Sequence, residues 1–248
     1  MKDLLLLPTG VLVGIVNAVA GGGGLLSFPM MIALGYSPFT ANITVTAGAL
    51  PGNISSAWGH RVPFVGEKRS PSLALGVSGI VGALGGCTLL LLGGAATFTT
   101  VVPWLLVTSA LLVLAQPQIV RAVRHLSGTP GAPKWLGVLG AAVVSGYGGY
   151  FGVAMGVMFL GVFGVLIHEP WQQLNAWKNE IAVFVNTTAV IVFALFAHIA
   201  WSAAVLLALG TFVGGFLGAR IARRLPDRWF RLVVASIGLV AAAAVLLH

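Results

Sequence analysis

Charge is what this sequence has least of. Asp, Glu, Lys and Arg make up 7% of its 248 residues, against roughly 25% in a soluble domain, and that deficit excludes a water-soluble fold. Its single cysteine, Cys87, lies inside an apolar stretch, which excludes an intramolecular disulfide and a cysteine-built zinc site. The five histidines have no metal-ligand spacing, and His168-Glu169 lacks the second histidine one turn later that a metalloprotease helix carries. No Walker loop is present, so ATP is not the direct energy source. No nucleophile stands at usable spacing from a base. The residues describe neither an enzyme nor a cofactor or metal protein.

Hydrophobic residues fill 58% of the chain, and apolar runs of about 20 residues, enough to cross the hydrocarbon of a bilayer as a helix, recur from end to end. They fall at roughly 4–20, 25–36, 39–60, 72–92, 100–120, 135–153, 155–167, 170–198, 203–222 and 229–247. Met1-Lys2-Asp3 before Leu4 has a weak n-region and no small-residue cleavage site, so this start reads as the first membrane segment and not as a signal peptide. The 13 Lys and Arg against 5 acids would suit a nucleic-acid binder, but they cluster between hydrophobic segments. That is the signature of cytoplasmic loops.

Two segments, 25–36 and 155–167, are too short to span. Each follows a glycine-rich break, Gly21 to Gly24 in one case and Gly146, Gly148, Gly149 and Gly152 in the other. Short, glycine-interrupted segments at matching places in two halves point to the binding site of a transporter. The halves also share a spacing. Asn42, Thr46, Ala49 and Asn53 stand at i, i+4, i+7 and i+11, and Asn175, Asn179, Ala182 and Asn186 repeat it about 133 residues later. Leu73-Ala74-Leu75-Gly76 maps onto Leu207-Ala208-Leu209-Gly210 at nearly the same offset. A common order and offset indicate a duplication.

Charge orients the halves. The loop holding Arg61, Lys68 and Arg69 corresponds to uncharged residues near 197–202, whereas the uncharged 93–100 corresponds to 220–231, with five arginines from Arg220 to Arg231. Equivalent loops therefore lie on opposite sides of the membrane. The expected fold is an all-α integral membrane protein of two inverted repeats, each a glycine-broken short helix pair followed by three spans. The first repeat is 1–126 (pair 4–36; spans 39–60, 72–92, 100–120), the cytoplasmic linker 127–134, and the second repeat 135–248 (pair 135–167; spans 170–198, 203–222, 229–247). Both termini are then periplasmic. The alternative, eight spans in parallel halves, leaves one basic loop set outside.

The shared spacing puts Asn42, Thr46 and Asn53 on one helix face and Asn175, Asn179 and Asn186 on another. Amides without partners in hydrocarbon cost several kcal/mol, so these faces look at protein or a wet cavity. Lys178, two turns into its helix, is the expected counter-charge for an anion, and its equivalent in the first half is Val45. Glu180 points to a different face. The breaks, with Gly22, Gly23 and Gly24 and with Gly148 and Gly149, would present backbone N–H groups at helix N-termini, where an anion is favoured. Ser27 and Tyr147 beside them read as structural hydroxyls, with a donor role in the site as the alternative. Gly210, Gly214 and Gly218, like Gly82 and Gly86, form small-residue packing ridges, and Trp104, Trp171, Trp201 and Trp229 an interfacial belt.

The chain resembles the TauE/SafE family of sulfite exporters in the run Asn17-Ala18-Val19-Ala20-Gly21-Gly22-Gly23-Gly24-Leu25-Leu26-Ser27-Phe28-Pro29, in Gly35 and in Ala41-Asn42. In the second half it does so in Gly146-Tyr147-Gly148-Gly149-Tyr150-Phe151-Gly152, Lys178-Asn179 and Asn186. The resemblance covers essentially the whole chain. It implies export of sulfite or an organosulfonate across a bacterial inner membrane, with a small anion and the bilayer as partners, no nucleic acid, and room for a homo-oligomer. A non-transporting membrane scaffold, whose polar faces only hold helices together, is the competing expectation.

Overall fold

The computed structural model describes residues 2–19, 21–60, 73–126, 133–167, 171–221 and 227–246. Among these residues the regular structure is all helix, joined by short turns, without a strand. After a short turn at Lys2–Leu5 come α1 (Leu6–Val19), α2 (Gly24–Ala33), α3 (Pro38–His60), α4 (Leu73–Leu126), α5 (Lys134–Tyr150), α6 (Met155–Leu166), α7 (Trp171–Phe196), α8 (Trp201–Ile221) and α9 (Asp227–Leu246). Three stretches among the described residues have both the length and the apolarity of a span: Leu73–Ile119, Gln173–Phe196 and Trp201–Arg220. The 23 residues of α3 have the length as well, and its Asn42, Thr44, Thr46, Asn53, Ser55 and Ser56 are all buried.

The separate spans expected at 72–92 and 100–120 are the two helical arms of α4, which meet at Gly94 without the loop expected at 93–100. A straight helix over the 54 residues of α4 would reach about 80 Å, over twice the hydrocarbon thickness. The chain turns at a single residue, Gly94, with φ 69° and ψ −179°, a conformation open to glycine and strained for a residue with a Cβ. Ala95 and Ala96 resume the helix at once, so no loop is needed. Lys134, expected in the linker, begins α5, and 127–132 lie outside the described residues.

Both short pairs are hairpins. The Tyr36 hydroxyl, just beyond α2, donates to Asp3 Oδ1 at 3.3 Å, which brings the end of α2 back to the start of α1. Burial, and then the Asp3 carboxylate, push the Tyr36 phenol pKa up. In the second pair Gly137 and Gly140 at the start of α5 lie against Ile167 and Val162 at the end of α6. Neither pair crosses as one kinked span.

Small residues fix how the helices meet. Along α1 and α8, Gly10 lies against Gly210, Gly14 against Thr211 and Gly214, and Ile15 and Ala18 against Gly218; the numbers rise together, so these helices run parallel. Along α4 and α5, Gly82 meets Ala142 and Ser145, and Gly86 meets Gly146 and Tyr150, again in parallel. The first helix of each pair thus packs on a helix from the other half. With no hydrophobic force between helices in lipid, such close backbone approach is what holds them. Thr211 Oγ1 adds a hydrogen bond of 2.6 Å to the Gly48 carbonyl, and Ala200 N–H donates to Thr44 Oγ1 at 3.2 Å, which aligns α3 with α8.

The outer surface is apolar: Leu73, Leu92, Leu195, Phe196 and Val240 are among the large side chains left exposed. So continuous a surface belongs in lipid. Trp201, Trp58 and Trp135 are exposed near helix ends, whereas Trp104 is exposed well inside α4; the side chains of Trp171 and Trp229 lie outside the described residues.

A methyl group at Gly14 would lie 2.6 Å from Gly215 N and 2.8 Å from Gly214 C, both backbone atoms, whereas one at Gly85 would meet nothing within 4 Å. Gly14→Ala is expected to cost about 1–3 kcal/mol as overpacking, and Gly85→Ala to stay within about 0.5 kcal/mol of wild type. Equilibrium unfolding in detergent micelles measures both.

Candidate functional site

The two helix breaks meet each other. Gly21 (φ 79°) and Gly152 (φ 74°) turn the chain, and the tips come so close that a methyl at Gly21 would lie 2.8 Å from Gly156 Cα. A side chain at either position would push the tips apart. Of the four glycines expected in the second break, Gly152 alone lies in the turn. Gly146, Gly148 and Gly149 are inside α5, where Gly149 packs on Ala83 and Gly148 on Met155 and Val185. The turn is made by Gly152 together with Ala154, which caps α6 in the left-handed region at φ 62°. An alanine there costs on the order of 1 kcal/mol.

Side chains hold both tips. Asn17 Oδ1 accepts the Gly23 N–H at 2.8 Å, satisfying one of the donors that a helix N-terminus leaves open. At the second tip the Tyr147 hydroxyl donates to the Val153 carbonyl at 2.7 Å. Ser109 Oγ, from α4, lies 2.8 Å from the Tyr147 oxygen and 3.1 Å from the Val153 oxygen. Asn42 Nδ2 donates to the Tyr150 carbonyl at 2.9 Å. Phe28 and Phe151 stack edge to face at 5.6 Å across the two tips, a favoured aromatic geometry.

Where the tips meet, a cavity of about 60 Å³ is enclosed by α1, both breaks, α3 and α7. At about 10–15 Å³ of such volume per water it has room for a few waters or one compact oxyanion. Of the residues predicted to bind substrate, Thr46, Asn53, Lys178, Asn179, Asn186 and Gly24 line it. Asn42, Asn175, Gly22, Gly23, Gly148 and Gly149 do not. Asn42 is engaged at the α5 tip, Gly23 gives its N–H to Asn17, and Gly22 lies against the Val113 side chain. Asn175, one turn before Asn179, is off the cavity wall.

Of the other wall residues, Asn17 and Gly156 were not expected to bind, whereas Gly21 was expected in the first break and Ser27 beside it. Asn17 is a lone polar residue in an apolar run, and Ser27 read as structural. Its hydroxyl is 1% exposed and has no hydrogen-bond partner among the described residues. The Tyr147 hydroxyl, read the same way, is indeed structural.

Among the described residues Lys178 carries the only full charge on the wall. Its side chain is 1% exposed, and Nζ has no hydrogen-bond partner among the described residues. Its stem runs past the tip, so that a methyl at Gly156 would stand 3.2 Å from Lys178 Cδ. The N-termini of α2 and α6, through Gly24 and through Met155 and Gly156, open on the same space and add partial positive charge. Among the described residues no carboxylate lines it; Glu180 is elsewhere. A site of this kind attracts an anion. Among the described residues no group of His, Cys, Asp and Glu is arranged to hold a metal.

Comparison with known proteins agrees with this geometry. The family model described as sulfite exporter TauE/SafE matches residues 6–245. The probable membrane transporter protein YfcA of Escherichia coli (strain K12) is 25% identical over 242 residues, covering 95% of this chain and 86% of that protein. The probable membrane transporter protein ORF9 of Sinorhizobium sp is 27% identical over 230 residues, covering 91% of this chain and 86% of its own length. The protein is a membrane transporter and not an enzyme, and the scaffold expectation falls. With a match that runs almost from end to end, the chain belongs to the TauE/SafE family of sulfite exporters.

Proposed function

We propose that this transporter exports a small sulfur oxyanion, sulfite or an organosulfonate, across a bacterial inner membrane by alternating access, with the cavity at the two tips as its substrate site. The observation that carries the reading is the Lys178 ammonium, buried on the wall of the cavity with neither a partner nor a lining carboxylate among the described residues. A buried charge of this kind needs a counter-charge, and a substrate anion supplies it. Asn53, Asn179 and Asn186 offer amide donors around it, and Ser27 a hydroxyl. A potential negative inside assists exit of an anion by about 2.3 kcal/mol per charge per 100 mV, so export needs no coupled ion.

Alternating access is supported by the order of elements, a hairpin and three helical passes, twice over, with each hairpin packed on the opposite half. Two inverted repeats that rock about a fixed site would use this arrangement. The basic clusters then face the cytoplasm and both termini the periplasm.

Two measurements test this. In liposomes holding purified protein, labelled sulfite is expected to enter saturably and in response to an imposed potential, and Lys178→Met to reduce that flux to the level of empty vesicles. Flux undiminished in the variant removes Lys178 from the site. For topology, single cysteines at Ala95 and Arg220 in a Cys87→Ala background are expected to react from opposite sides of the membrane, Ala95→Cys from outside and Arg220→Cys only after permeabilisation. Labelling of both from one side would require parallel halves.

A further inference from the structure

Two helix faces line the cavity, and they are one face written twice. Val45, Thr46, Ala49 and Asn53 come from α3, and Lys178, Asn179, Ala182 and Asn186 from α7, each about 133 residues after its counterpart. The pairs differ at two places: Thr46 answers to Asn179, both polar and uncharged, and Val45 answers to Lys178. Val45 is buried on the wall, so among the described residues the site holds one full charge where exact symmetry would give two or none.

Resting on the anion reading above, we infer that this site accepts singly charged oxyanions and refuses doubly charged ones, and that Val45 sets the limit. One buried ammonium balances one negative charge; a second negative charge would be left unpaired in a space of low dielectric, which is heavily penalised. The amides of Asn53, Asn179 and Asn186 orient oxygens without adding charge. The helix ends offer less than a free terminus would, because Gly23 N–H is already taken by Asn17 and Met155 N–H donates to the Gly152 carbonyl at 3.2 Å. Singly protonated sulfite and monosulfonates fall inside the limit, sulfate and sulfoacetate outside it.

Methanesulfonate and sulfate separate charge from size, since both are compact and tetrahedral. Labelled flux of each would be measured in liposomes with wild type, Val45→Lys, Lys178→Val and the double exchange Val45→Lys/Lys178→Val. Wild type is expected to prefer methanesulfonate by about 100-fold or more, the consequence of leaving a buried charge unpaired. Val45→Lys should bring sulfate within about tenfold of methanesulfonate, Lys178→Val should carry neither, and the exchange should restore methanesulfonate alone. Should Val45→Lys fail to fold, competition in wild type decides the matter: sulfate in 100-fold excess leaves methanesulfonate flux unchanged if the inference holds and suppresses it if not. Equal transport of both anions by wild type overturns the inference while leaving an anion transporter. No flux of any anion overturns the anion reading itself.

Discussion

An ammonium group sits inside a lipid-facing bundle with no partner of its own. Lys178 Nζ is unpaired among the described residues and its side chain is buried, a condition that costs several kcal/mol unless something of opposite charge shares the space. The surroundings deepen that condition. Two helix N-termini open on the same cavity and add positive potential, and among the described residues no carboxylate lies on its wall. An anionic substrate, as proposed, would relieve this unfavourable feature of the empty site.

Bringing these groups together requires two interrupted helices, and the rest of the bundle serves to hold them. An unwound backbone cannot stand in hydrocarbon, because each unpaired N–H or C=O there costs several kcal/mol. The tips are therefore buried against one another and capped from within: Gly23 by Asn17, the Tyr150 carbonyl by Asn42, the Val153 carbonyl by Tyr147 and Ser109. These bonds also offset the strain of Ala154 in the left-handed region. Around the tips the glycine contacts of α1 with α8 and of α5 with α4 clamp each hairpin to helices of the opposite half.

Much of this could be read in the amino-acid sequence, because hydropathy and periodicity respond to lipid and to helix geometry alone. The spacing of Thr46, Asn53, Asn179 and Asn186 places them on buried faces, and Lys178 stands out as a charge where none should be. What periodicity does not give is height along the helix. Asn42 and Asn175 share the stripe of their neighbours but begin one turn too early to reach the cavity, and Asn42 instead caps the α5 tip. Glycine likewise marks close packing and chain turning with the same letter. Gly148 and Gly149 read as an opening because of their number, yet they pack inside α5, while the turn passes through Ala154, which no composition rule singles out. At Gly94 the reverse holds, since one glycine does the work of an expected eight-residue loop.

The central claim is that the anion sits against Lys178 at the junction of the two tips, and it is tested most directly by locating a bound anion. Selenite has the shape and charge of sulfite and carries an anomalous scatterer. A crystal structure of the protein with selenite is predicted to show one selenium peak in the cavity, within ion-pair distance of Lys178 Nζ and beside Gly24 and Gly156. Selenium bound elsewhere, with the space beside Lys178 holding only water, would contradict the account.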